Sequence, residues 1–245
     1  MTCLPGWYGK FPGLGDFSQR RLPADFVAPW DAWLQAGITH SKVALGSNWL
    51  DSYLTAHIWH FVLMPEVVDS QCWAGVWMPS VDKVGRYFPF TLAVALPPET
   101  RLPAADPALG AWLMNLEGCA RLCLEPDVGI KALEASLIQL GPPPLDREPA
   151  ARLCDAGKQL ARGSQLISLP AWEGSSVPAD YLAALAGSTL QAALTGFSLW
   201  WCHAAEGISG GFAHRSLPTA SFLTKMLTYS PADSGDHDYR GLLGV

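Results

Sequence analysis

The sequence predicts an α/β protein in which helices pack on the faces of a mixed, largely antiparallel sheet. Three short apolar runs, at residues 58–64, 72–78 and 87–96, have the length of buried strands, and proline follows each of the first two. Connections this short between strands favour antiparallel pairing. Helical patterns occur around these runs without the strict alternation of a parallel sheet, so helices covering an antiparallel sheet are the expected arrangement.

The N-terminal third begins with an extended segment and continues with two helices. Four glycines and a proline within residues 6–17 exclude a helix there, so this segment is expected to be extended or loop-like. Apolar side chains then recur at helical spacing from Phe26 onward, which predicts an amphipathic helix that ends near Gly46. A second helix, capped by Asn48, is predicted to continue to about residue 57.

The remaining chain alternates helical patterns with short strands. Asp106 and Pro107 have the residue types preferred at the start of a helix, whose apolar stripe runs from Leu109 to Leu124. The further elements predicted are helices at 128–140, 150–162, 178–194 and 218–227 and strands at 164–169, 197–203 and 212–216. A glycine-rich turn is expected after residue 203, and the tail after residue 229 is expected to be loose.

Gly141 and the three prolines after it form the clearest boundary in the chain. Consecutive prolines favour an extended and stiff connector. We therefore predict an N-terminal domain at 1–140 and a C-terminal segment at 141–245. The strands of this segment are too few and too short for a sheet of their own, so the segment is expected to complete the same fold.

The composition excludes several classes of protein. Hydrophobic residues make up 49% and charged residues 16%, which excludes a mainly disordered chain. The net charge of −6 provides no electrostatic footprint for nucleic acid or for an anionic membrane surface. No apolar run approaches the ~20 residues of a membrane span, and the N-terminus lacks a secretion signal. We expect a soluble cytoplasmic protein whose six scattered cysteines are reduced.

One serine matches a nucleophile pattern, but its surroundings do not. Ser209 lies in a G-x-S-x-G sequence, which in hydrolases joins a strand to a helix. Here two glycines and a predicted strand follow the serine, so a turn is the favoured interpretation and no catalytic residue is predicted. A serine hydrolase is kept as an alternative function.

Neither a cofactor nor a metal site is predicted. The glycines of residues 6–17 have neither the dinucleotide-binding spacing nor the Gly-Lys-Ser/Thr ending of a phosphate-binding loop. His57 and His60 would face opposite sides of a strand. Cys119 and Cys123 would share a helical face, but structural zinc sites favour more closely spaced pairs.

Two groups of charged residues are the candidate binding site. Asp82 and Arg86 lie in a polar turn before an apolar strand, where they could form a structural ion pair, a docking surface or a hydrolase's acid cluster. A second group flanks the glycine-rich segment, where buried aromatics could hold it rigid. An ion pair such as Asp16–Arg86 could join the two segments. The predicted protein-binding residues are Lys10, Asp16, Arg20, Arg21, Asp82 and Arg86.

The N-terminal motifs resemble those of a known bacterial family. Residues 6–17 read GWYGKFPGLGDF and residues 73–89 read WAGVWMPSVDKVGRYFP, and RRLP and WDAWL lie between them at 20–23 and 30–34. These motifs resemble the TagF family, also called ImpM, which accompanies type VI secretion systems. The resemblance is dense over residues 6–96, and a short SLWW match follows at 198–201.

The resemblance implies a three-layer α-β-α sandwich and a regulatory function. Members of the family are cytoplasmic accessory proteins that restrain type VI secretion after translation. Their usual partner is the forkhead-associated scaffold protein of the system. Three functions remain open at this point: a non-catalytic module that binds the scaffold, a hydrolase that uses Ser209 or the Asp82–Arg86 cluster, and a permanent structural subunit of the secretion machine.

Overall fold

A computed structural model of the protein describes residues 4–97, 107–125, 127–144, 151–164, 179–203 and 209–229. The strands are β1 (Gly6–Lys10), β2 (Phe17–Arg20), β3 (Trp59–Leu63), β4 (Cys72–Met78), β5 (Phe90–Leu96), β6 (Phe197–His203) and β7 (Ser209–Arg215). The helices are α1 (Ala24–Leu45), α2 (Trp49–Thr55), α3 (Pro107–Leu122), α4 (Ile130–Leu140), α5 (Ala151–Ala161), α6 (Ala179–Ala193) and α7 (Ala220–Leu227).

The seven strands of the described residues form one sheet in the order β2-β1-β5-β4-β3-β6-β7. Each of the six pairings between these neighbours is antiparallel, which confirms the predicted sheet. The two strands that follow the triple proline extend the sheet of the N-terminal strands, because β6 pairs with β3 and places Trp201 opposite His60.

Helices cover both faces of the sheet, so the predicted three-layer arrangement is confirmed. Alternate residues of β4 show the division. Ala74 and Val76 belong to a core shared with α3 and α4, whereas Trp73 and Trp77 belong to a core shared with α1, α2 and α7. The whole of β4 is buried for this reason, as expected for a strand covered on both sides.

An aromatic core lies between α1 and the sheet. Trp30 lies parallel to Trp200 of β6 at a centroid distance of 6.0 Å, and the indole of Trp33 donates to the carbonyl of Pro218 over 2.7 Å. Five aromatic residues of this core are all buried: Trp30, Trp33, Trp73, Trp77 and Phe88.

Several predicted boundaries differ from the structure for local reasons. Asn48 does not cap α2 through its side chain, because it lies in a 3-10 turn that leads directly into the helix. β5 begins at Phe90 rather than 87, since Tyr87 instead forms an isolated bridge with Val81. Leu124 lies beyond the end of α3 and is half exposed, so it does not belong to the buried stripe.

The C-terminal elements also depart from prediction in part. β7 begins three residues early, because Gly210 and Gly211 pair with β6 rather than forming a turn. A side chain at Gly211 would meet the carbonyl oxygen of Trp200, which explains a glycine in this strand. The predicted strand at 164–169 falls outside the described residues, apart from its first residue, and so does the tail from 230. Within the described ranges, no helix combines the length and apolarity needed to cross a membrane.

Candidate functional site

The centre of the site is an ion pair between the two sequence motifs. Lys10 ends β1, and Asp82 lies 72 residues later in the connection between β4 and β5. The ammonium group contacts the carboxylate directly, and both residues are buried. The ammonium group also lies 4.8 Å from the centre of the Phe17 ring. Lys10 is therefore held by a carboxylate and by an aromatic face together.

Asp82 organises the turn that follows it. Its Oδ1 accepts hydrogen bonds from the backbone N–H groups of Val84 and Arg86, at 3.1 and 2.8 Å, and its Oδ2 accepts from Nε of Arg86 at 2.7 Å. Burial opposes ionisation of this carboxyl. The bonds from Lys10 and Arg86 outweigh that effect and hold the pKa of Asp82 well below its usual range. Asp82 is therefore ionised at neutral pH.

Two hydrogen bonds to backbone carbonyls join the glycine-rich segment to the same turn. The guanidinium of Arg86 donates to the carbonyl of Gly15, and the N–H of Lys83 donates to the carbonyl of Leu14 over 2.9 Å. The hypothetical Asp16–Arg86 ion pair does not form. The guanidinium of Arg86 is already paired with Asp82. The carboxylate of Asp16 instead accepts a hydrogen bond from the backbone N–H of its neighbour Phe17. The two motifs do meet, but through different partners.

Arg20 and Arg21 form a separate group beside α4. The guanidinium of Arg21 contacts Glu134 at 2.7 Å, and that of Arg20 lies 3.8 Å from the same carboxylate. The indole of Trp7 donates to Glu134 as well, over 2.7 Å. Burial would raise the pKa of Glu134, but these bonds and charges lower it. The six predicted residues are thus divided between two places.

Glu134 was not identified from the sequence. It follows the buried Leu133 on α4 and is itself partly buried. A partly buried glutamate suggests a cationic partner but does not indicate which one. Its partner Arg21 is 113 residues away and adopts a left-handed backbone with φ of 62°. Neither fact can be read from a helical pattern.

A surface of mixed character lies over the Lys10–Asp82 pair. We call it the hairpin surface and define it as Asp16, Phe17, Lys83, Val84 and Arg86, all of which are exposed. Phe17 is 44% exposed and Val84 66%, so the surface includes apolar groups as well as both signs of charge. The Phe17 ring packs against Phe88 at 4.8 Å and Tyr8 at 6.2 Å, and the rest of the ring is open to solvent. Aromatic and charged groups together are typical of protein-binding patches.

A second cluster of titratable groups was also missed. His60 of β3 is buried, and its Nε2 lies 2.6 Å from Oε2 of Glu117 on α3, whose other oxygen contacts Arg121 at 2.7 Å. Burial would raise the pKa of Glu117, but the bonds from His60 and Arg121 lower it. The His203 ring is 5.2 Å from that of His60, and burial is the main reason for its lowered pKa. The cluster joins α3 to the sheet.

Three features of the described residues concern the hydrolase and metal-site alternatives. Ser209 is the first residue of a strand, so the helix that a nucleophile elbow requires does not follow it. Burial raises the pKa of Cys72 and Cys202 to about 12, which keeps both thiols protonated. Among the described residues, no group of three or more histidine, cysteine or acidic side chains could hold a metal ion.

Trp200, in the SLWW match of β6, is too deeply buried to belong to a contact surface. It is 1% exposed and packs among aromatic rings of α1 and β3, including Phe61 at 5.4 Å. Trp201 is partly buried on the opposite face of the sheet. The strand that carries both residues is interior to the sheet.

The protein is an α/β sandwich: one antiparallel sheet carries helices on both faces, and an ion pair joins its two N-terminal motifs. The model of the TagF N-terminal domain, described as type VI secretion system-associated, matches residues 6–140. This match covers more than half of the chain and includes both motifs of the site. The chain belongs to the TagF family of type VI secretion system-associated proteins.

A solved structure extends the likeness beyond the N-terminal domain. The crystal structure of PA0076 from Pseudomonas aeruginosa PAO1 matches with a TM-score of 0.71 and 35% sequence identity. The match covers 91% of this chain and 93% of that one. It therefore includes most of the C-terminal segment. None of the curated proteins is similar enough to match the chain.

Proposed function

We propose that this protein is a non-catalytic, cytoplasmic regulator that restrains type VI secretion by binding the forkhead-associated scaffold protein of the system. Membership of the TagF family supports the connection with type VI secretion. The observation that carries the proposal further is the hairpin surface, which is exposed and yet held in place by a buried ion pair.

Rigidity is what makes this surface suited to binding. The turn that carries Val84 is held by Asp82, and the segment that carries Asp16 is held by Arg86 and Lys83. A surface that is already ordered loses little conformational entropy when a partner docks. Lys10 and Asp82 therefore support the surface from beneath, and the exposed residues make the contacts.

The titratable groups support binding rather than catalysis. The carboxylates of Asp82 and Glu117 are each occupied by two cationic or imidazole partners. A hydrolase would present such groups in an open cleft, with space for a substrate beside them. Ser209 lies at the start of a strand, which supports the same conclusion.

The proposal is tested with the purified chain and the purified scaffold from a bacterium that encodes both. We expect saturable binding in isothermal titration calorimetry and less secreted effector in culture medium when the chain is overproduced. Arg86→Ala should weaken both effects, whereas Lys131→Ala on the exposed side of α4 should weaken neither. Absence of binding by the parent chain would overturn the proposed partner.

A further inference from the structure

A cavity of about 620 Å³ lies between the C-terminal elements and the connection that joins β3 to β4. The connection between β3 and β4 forms one wall, α5 and α6 form the opposite wall, and Arg215 at the end of β7 lies between them. A volume of roughly 300–1,000 Å³ is typical of small-molecule sites. The lining includes no residue of the hairpin surface, so the cavity is independent of the proposed docking function.

The charged side chains of the cavity are mostly basic. Lys158 of α5, Arg162 just after the end of α5 and Arg215 of β7 line it, and Glu66 is the carboxylate among the lining residues. These four groups give the cavity a formal charge of +2, obtained as three positive charges less one negative. The whole chain has a net charge of −6, so the cavity is positively charged although the protein as a whole is negatively charged.

Lys158 in the last turn of α5 and Arg162 just after it are only weakly neutralised by the carboxylates of the helix. They lie four residues apart, and the N–H of Arg162 still donates to the carbonyl of Lys158, so the two like charges repel each other as they would on one helix. Lys158 reaches an exposed aspartate, Asp155, only at 3.8 Å, and no carboxylate of the described residues lies within ion-pair distance of Arg162. The last turn of a helix favours cations, which accounts for part of this arrangement but not for Arg215.

Arg215 and α5 are both held in defined positions. The guanidinium carbon of Arg215 lies 4.7 Å from the centre of the Phe197 ring, so the planar group rests on an aromatic face. Gly157 allows α5 to approach α6 so closely that a Cβ there would lie 2.7 Å from the carbonyl carbon of Ser188. The cationic groups therefore surround the cavity on a fixed frame.

We propose that this cavity binds a small molecule that carries a phosphate monoester. A dianionic phosphate matches the charge of +2 left by the four charged groups. Guanidinium groups bind phosphate through paired hydrogen bonds, which two arginines from different elements can supply together. Alanine side chains at 161, 192 and 193 leave an uncharged wall for the remainder of the ligand.

Calorimetric titration of the full chain with phenyl phosphate tests the site, and benzoate is the matched ligand with a carboxylate in place of the phosphate. We expect one saturable site for phenyl phosphate. Arg162→Gln and Arg215→Gln should each weaken binding by about tenfold or more, the loss expected for a charge-assisted pair. Lys131→Gln removes the same charge from the surface of α4 and should leave the affinity unchanged.

Three results would overturn the proposal. These are no saturable binding of phenyl phosphate, equal affinity for benzoate, or equal weakening by Lys131→Gln and the two arginine variants. The thermal unfolding midpoint of each variant is measured as a control. Both arginines are exposed, so neither substitution should unfold the protein. Failure here would leave scaffold binding through the hairpin surface untouched, since the two sites share no residue.

Discussion

The ammonium group of Lys10 and the carboxylate of Asp82 form a buried ion pair that joins the end of β1 to the turn before β5. The turn, the glycine-rich segment and the exposed residues over them are all arranged around this pair. Removing Asp82 alone would leave the buried ammonium group of Lys10 without a carboxylate, whereas removing both residues would not. This asymmetry gives the first prediction.

Asp82→Ala should lower the thermal unfolding midpoint more than Arg86→Gln, because Asp82→Ala leaves Lys10 buried without its counter-ion, whereas Arg86→Gln leaves the Lys10–Asp82 pair in place. The double variant Lys10→Met with Asp82→Ala should recover part of the loss. A double-mutant cycle measures this coupling. Additive effects of the two single changes would contradict a direct interaction.

The His60–Glu117 pair predicts a dependence of stability on pH. The pKa of Glu117 is lowered in the folded protein, so its contribution to stability is present above its unfolded pKa of about 4.3 and is lost as the pH falls through the folded value. Glu117→Gln should reduce the free energy of unfolding at pH 7 by about 1.5–3 kcal/mol. The difference from the parent should shrink in denaturant titrations below pH 4, and an unchanged difference would refute the assignment.

Two glycines offer a matched test of packing. A Cβ at Gly75 in β4 would meet the carbonyl oxygen of Leu92 and lie 2.6 Å from Cζ of Phe61, so Gly75→Ala should destabilise the fold by about 1–3 kcal/mol. Gly118 in α3 has open space around the same position, so Gly118→Ala should stabilise by about 0.5–1 kcal/mol. Chemical denaturation of both variants measures the opposite signs, and a stabilising Gly75→Ala would contradict the packing described.

Trp33 tests the layer formed by α1 and α7. Its ring packs at 5.4 Å from Trp200 and its indole donates to Pro218, so Trp33→Ala should cost about 3–5 kcal/mol. Trp33→Phe keeps the aromatic contact and loses the hydrogen bond, and should cost about 1 kcal/mol. Equal unfolding midpoints for the parent and Trp33→Ala would show that this face is not a core.

The elements that could be predicted are those with a strong local pattern. β4 and β6 have the predicted bounds because each is a short apolar run with a clear stop. The order of the sheet could not be predicted in this way. β1 lies between β2 and β5, and its pairing with β5 joins Gly9 to Phe90, residues that are far apart in the chain.

The same limit applies to the site. The chemistry of residues 6–17 and 73–89 identified the segments that meet, but the choice of partners follows from the sheet. Pairing of β1 with β5 brings Lys10, rather than Asp16, to Asp82. Glu134 and Glu117 were missed because each lies on a helix whose apolar stripe predicts burial and does not predict which charged group is opposite.

The central claim is that the hairpin surface binds the scaffold, and two identical substitutions test it most directly. Val84 lies on this surface and Val43 lies near the end of α1, and both are exposed, at 66% and 83%. Affinity for the purified scaffold is measured by calorimetry for Val84→Asp and Val43→Asp, together with the unfolding midpoint of each. We predict that Val84→Asp weakens binding by about tenfold or more at an unchanged midpoint and that Val43→Asp binds like the parent. Parental affinity of Val84→Asp, or an equal loss for Val43→Asp, would contradict the account.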